Sequence, residues 1–75
     1  MRELPAQVSG REVVKALSRV GYAVDRKRGS HIILRNGEAP YRRLTIPDHD
    51  EIAKGTLRGI IRQAGLSTEE FKKLL

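Results

Sequence analysis

GYAVDRKRGSHIILRNG, residues 21–37, is the stretch whose reading decides the fold. Tyr22, Val24 and Arg26 alternate with Ala23, Asp25 and Lys27, as in a strand with one buried face. Arg28-Gly29-Ser30 reads as a turn. From His31 to Arg35 the alternation puts Ile32 and Leu34 on one face and His31, Ile33 and Arg35 on the other. If the first pair faces the core, His31 faces out. Asn36-Gly37 is a hairpin signal, and Pro40, which lacks a backbone donor, predicts a longer or bulged connection. A third strand over Tyr41 to Ile46, with Leu44 and Ile46 inward and Pro47 ending it, completes an antiparallel sheet.

Working outward, Ser9 and Glu12 form an S-x-x-E capping box, in which hydroxyl and carboxylate satisfy orphaned N–H groups at a helix start. Val8 and Val13 occupy the positions of a hydrophobic staple. Val13, Val14, Leu17 and Val20 keep helical spacing, and Gly21 supplies a left-handed stop, which predicts a helix over Gly10 to Val20. Beyond the sheet, Leu57, Ile60, Ile61 and Ala64 repeat at helical spacing before Gly65, predicting a helix over Thr56 to Ala64. Ser67 with Glu70, and Leu66 with Phe71, repeat the box and the staple, so a short last helix is expected to run to Leu75. The order predicts one two-layer α+β domain over residues 1–75, α-β-β-β-α with a short C-terminal helix. Both long helices cover one face of a three-stranded antiparallel sheet, and the other face stays open.

A chain of 75 residues buries only about 60 to 65% of its unfolded surface, too little for a deep cleft. There is no cysteine, which removes disulfide scaffolds and thiolate metal sites. Apolar runs such as Ile32-Ile33-Leu34 fall far short of the roughly 20 residues of a membrane span, and the first ten residues lack a signal-peptide core. A soluble, cytoplasmic protein without a membrane association is the expectation. Fifteen Lys and Arg against nine Asp and Glu give a net charge of +6, which makes a polyanion a natural partner without distinguishing RNA from DNA.

His31 is the candidate for chemistry. Histidine is the side chain best suited to moving protons near neutral pH, and RNA brings its own nucleophile, the 2′-hydroxyl. A base that takes that proton can cleave the strand without a metal, while cations such as Arg26 and Arg28 bind phosphate and offset charge in the transition state. The competing reading is an exposed strand residue with no chemistry, the commoner fate of surface histidines. Gly29 and Ser30 likewise read as ordinary turn residues. His49, among Asp48, Asp50 and Glu51, reads first as a turn residue, since one histidine beside sequence-adjacent acids is a weak metal signal. No metal site is expected. Lys54, Arg58 and Arg62, spaced by four, form a stripe that can track a phosphate backbone or simply be a solvated helix face. Three aromatics, Tyr22, Tyr41 and Phe71, are too few for a stacking platform. No phosphate-binding Gly-rich loop, nucleophile elbow or paired carboxylates are present, so nucleotide hydrolysis, esterase and glycosidase chemistry have no foothold.

In order and spacing, Gly21-Tyr22, Gly29-Ser30-His31, Ile46-Pro47 followed by His49, and Gly55-Thr56-Leu57 leading through Ile60-Ile61 to Gln63-Ala64-Gly65-Leu66 resemble the HicA family of toxins from bacterial and archaeal toxin-antitoxin pairs. The resemblance runs over nearly the whole chain. It implies a fold like the double-stranded-RNA-binding domain, a ribosome-independent endoribonuclease acting on mRNA without a cofactor, and neutralisation by a HicB-like antitoxin. It also implies that the histidine of the Gly-Ser-His motif, His31, is catalytic. On this reading Gly29 and Ser30 position the turn, and Arg26, Arg28, Lys54 and Arg58 hold the RNA backbone. Two other readings stay open: a non-catalytic RNA-binding module of the same fold, and a small protein-binding domain whose basic face meets an acidic partner.

Overall fold

The computed structural model describes Leu4 and residues 7–75; the expectation drawn from the first ten residues lies partly outside them. Helix α1 spans Gly10–Ser18, strands β1, β2 and β3 span Tyr22–Arg28, His31–Asn36 and Arg43–Pro47, and helices α2 and α3 span Lys54–Gln63 and Thr68–Leu74. The strands form one antiparallel sheet in the order β1-β2-β3. This is the expected α-β-β-β-α order with a third helix.

Both capping boxes form. The Ser9 hydroxyl accepts from the Glu12 N–H at 3.1 Å and the Glu12 carboxylate from the Ser9 N–H at 2.8 Å. Ser67 and Glu70 repeat this at 3.0 and 2.7 Å. Helix α1 ends two residues before the expected Val20, and α2 begins at Lys54, two residues before Thr56, with Ala53 at its N-cap and no side-chain cap.

One apolar core joins the layers. Ile32 and Leu34 of β2 and Leu44 and Ile46 of β3 meet Val13 and Leu17 of α1, Leu57 and Ile61 of α2, and Phe71 of α3. Phe71, Leu17, Leu34, Leu44, Ile46 and Leu57 are fully buried, each worth about 1.5 to 3 kcal/mol against exposure. The Tyr22 hydroxyl, also buried, donates to the Ala64 carbonyl at 3.3 Å and ties β1 to the end of α2. The strand residues between the core positions, His31, Arg35, Arg43 and Thr45, are exposed on the uncovered face. Among the described residues no helix is long and apolar enough to cross a membrane.

Strand β1 departs from its expected alternation. Only Tyr22 is buried, and Val24, its expected companion in the core, is 55% exposed at the sheet edge. The register is Ala23 opposite Arg35 and Val24 opposite Leu34, then Arg26 opposite Ile33, so Asp25 is an extra residue in a β-bulge. The bulge moves Arg26 from the face of Tyr22 to the face of His31. A second departure lies in β3, which begins at Arg43 rather than Tyr41 and includes Pro47. Proline is tolerated there because β3 is an edge strand.

Candidate active site

The Gly-Ser-His motif forms a two-residue hairpin. Arg28 pairs with His31 across Gly29 and Ser30. Gly29 has φ +60°, in the left-handed region that favours glycine, while Ser30 does not, which is the pattern of a II′ turn with glycine first. This turn matches the right-handed strand twist and starts β2 on His31. Arg28 is therefore strand, not turn as the sequence suggested.

Three rows cross the open face. Arg28, His31 and Pro47 form the first, Arg26, Ile33 and Thr45 the second, and Ala23, Arg35 and Arg43 the third. Residues opposite one another on one face lie about 4.5 to 5.5 Å apart at Cβ. The histidine thus stands in a row with one arginine, with three more along the same face. Asp25 partly offsets them, at 3.5 Å from Arg26 Nε and 4.0 Å from an Arg35 terminal nitrogen. Among the described residues neither Arg28 nor Arg43 is paired with a carboxylate.

The motif is held from behind by Asp48. Its N–H donates to the Ser30 carbonyl at 2.7 Å, extending the β2-β3 ladder into the turn. Its carboxylate accepts from Lys27 Nζ at 2.6 Å and from Arg11 Nε at 3.4 Å, joining β1 and α1 to the same point. The Lys27 hydrogen bond, opposed by desolvation and helped by the charges of Lys27 and Arg11, holds the Asp48 carboxyl below its usual range. A depressed carboxyl pKa adds stability that is complete above the unfolded value near 3.8 and is lost as pH falls through the folded value. We expect Asp48→Asn to flatten the fall of melting temperature between pH 5 and 2; unchanged curvature would remove this clasp from the acid response. Because Arg11 and Lys27 are exposed, added salt should shrink the difference.

Gly10 brings α1 into reach of this corner. A Cβ at residue 10 would run into the Pro47 carbonyl, and the Gly10 N–H donates to the His49 carbonyl at 2.9 Å. His49 therefore serves α1 through its backbone, and its side chain is exposed.

Of the residues singled out in the sequence, the fold brings Arg26, Arg28, Gly29, Ser30 and His31 together. Lys54 and Arg58 belong to α2, whose apolar side enters the core, and so to the helix layer rather than to the open face. Sequence reasoning placed Arg35 on the His31 face without counting it among the site residues, and it missed Arg43. The parity of β2 contains Arg35, and pairing Leu44 inward contains Arg43, so that signal was available. Asp48 gave no such signal, because its partners lie 37 and 21 residues away.

The site and fold define a class: a small basic α+β domain that presents one histidine among arginines on an uncovered sheet. The model of a family described as the HicA toxin of bacterial toxin-antitoxin pairs matches residues 10–66. The chain belongs to this HicA toxin family. It is also similar to a chain of a solved toxin-antitoxin complex from Streptococcus pneumoniae, at 40% identity and a TM-score of 0.65, over 83% of this chain and the whole of that one. No curated protein matches it.

Proposed function

We propose that this toxin is a metal-independent endoribonuclease that cleaves mRNA with His31 as general base. The observation that carries the reading is the row Arg28, His31 and Pro47 on an exposed sheet face, where an imidazole and a guanidinium are side by side. His31 takes the 2′-hydroxyl proton, and the 2′-oxygen attacks the adjacent phosphorus. The bond to the 5′-oxygen breaks, that oxygen gains a proton from water or from the imidazolium, and a 2′,3′-cyclic phosphate and a 5′-hydroxyl result. Arg26 and Arg28 stabilise the charge that builds on the phosphoryl oxygens. Gly29 and Ser30 set the turn, and Lys54 and Arg58, in the helix layer, hold a more distant part of the strand.

Membership of a toxin family and likeness to a toxin-antitoxin complex support a protein antitoxin as partner. We take it to be of HicB type and to cover the open face with acidic and apolar groups complementary to the arginines and Ile33.

The test is cleavage of an end-labelled mRNA by the purified toxin, without ribosomes and in EDTA. Fragments ending in a 2′,3′-cyclic phosphate or its hydrolysis product are expected. Binding without cleavage would favour the non-catalytic RNA-binding reading, and cleavage abolished by EDTA would remove the metal-free mechanism.

A further inference from the structure

The three aromatic side chains have divided fates: Tyr22 and Phe71 are 4% and 0% exposed, and Tyr41 is 61% exposed. Tyr41 lies in the connection between β2 and β3, at the end of the open face away from His31. Its φ of +59° is in the left-handed region, where glycine or asparagine is easily accommodated and a bulky aromatic is an outlier. The fold thus gains little burial from this ring and holds its backbone in a disfavoured conformation. Such an outlier points to a role outside folding.

The surroundings indicate what kind of ligand the ring meets. Arg35 and Arg43 pair across the last row of the open face, immediately before the connection. Arg42 turns the other way, bringing its guanidinium to Gly65 behind the sheet. From the His31 row to the Arg35 row is four residues along β2, about 14 Å, with arginines in every row. A track of cations closed by an exposed aromatic ring is the combination that binds single-stranded nucleic acid, phosphates on the charges and a base on the ring.

Resting on the nuclease reading above, we propose that Tyr41 stacks on a base of single-stranded RNA laid along the open face, so that the cleavage site is chosen partly by a nucleotide removed from the scissile phosphate. This extends recognition beyond the histidine row. It also gives the disfavoured backbone at residue 41 a use, because it holds the ring in solvent.

The chain contains no tryptophan, so Tyr41→Trp in a His31→Ala background provides a single fluorescent reporter that RNA binding does not consume. Titration with a single-stranded RNA oligonucleotide should quench it. In the same background Tyr41→Gly should weaken binding about tenfold, as expected for loss of one stacked base. Its melting temperature should be unchanged or higher, since the strained conformation suits glycine, and Tyr41→Phe should keep the affinity. Equal affinity for Tyr41→Gly and its parent, without quenching of the tryptophan, would overturn the stacking role while leaving the nuclease reading intact if the wild type still cuts. An affinity loss confined to the antitoxin would overturn it too and make Tyr41 a protein contact. If the parent binds no RNA and the wild type cuts none, both readings fall.

Discussion

His31→Ala should lower the rate of RNA cleavage by about 10² to 10⁴, the usual contribution of a positioned general base. In activation free energy this is about 3 to 5 kcal/mol. The fold should survive, since His31 is exposed and its backbone keeps its place in the β2 ladder; melting should move by no more than about 0.5 kcal/mol of stability. RNA binding should also persist, because Arg26, Arg28, Arg35 and Arg43 remain. Loss of rate with affinity retained is what separates a proton acceptor from a binding residue. The measurement is single-turnover cleavage of an end-labelled RNA beside a melting curve, and a folded variant that cuts at the wild-type rate would place the base elsewhere.

Gly10→Ala should be severely destabilising, against the usual preference for alanine in a helix. The added Cβ meets the Pro47 carbonyl, a backbone atom inside β3 that cannot rotate aside. Either α1 retreats or the end of β3 moves, and overpacking of this kind costs about 1 to 3 kcal/mol. For so small a domain that is a large part of the total, and melting should fall by roughly 5 to 20 °C. The contrast lies in α2, where a Cβ at Gly59 has nothing within 4 Å, so Gly59→Ala should stabilise by about 0.5 to 1 kcal/mol. Opposite signs for one substitution in two helices would locate the effect in the contact with Pro47. Equal, small changes in both melting curves would show that α1 stands off β3 in solution. Since Pro47 shares a row with His31, the Gly10 variant should also lose cleavage activity below its melting temperature.

The elements written in local chemistry were legible. Serine and glutamate three residues apart mark two helix starts, and each box is completed by hydrogen bonds between neighbours in sequence. The alternation of Ile32 and Leu34 with His31, Ile33 and Arg35 gave the faces of β2, because both neighbouring strands fix its register. Strand β1 was read in the wrong phase beyond Asp25 because a bulge leaves no mark in composition: Asp25 looks like any polar strand residue. The exposure of Val24 follows from its place at a sheet edge, which alternation does not contain. The clasp at Asp48 was invisible for another reason, since it joins α1, β1 and the turn only after they have packed. Around His31 the sequence yielded the residues adjacent along the chain and, by alternation, Arg35, and left out Arg43 and Tyr41, which the sheet and its closing loop supply.

The extra residue in β1 divides one strand into two independent modules. On one side of Asp25, the parity of Tyr22 answers to the hydrophobic core and the end of α2. On the other, the parity of Arg26 and Arg28 answers to the II′ turn and the histidine. An unbroken strand of the same length, paired from the turn, would turn Tyr22 outward, and one paired from Tyr22 would turn both arginines toward the helices. The slip at residue 25 removes that conflict, so the half of the strand that holds the protein together and the half that borders His31 can each change without resetting the other.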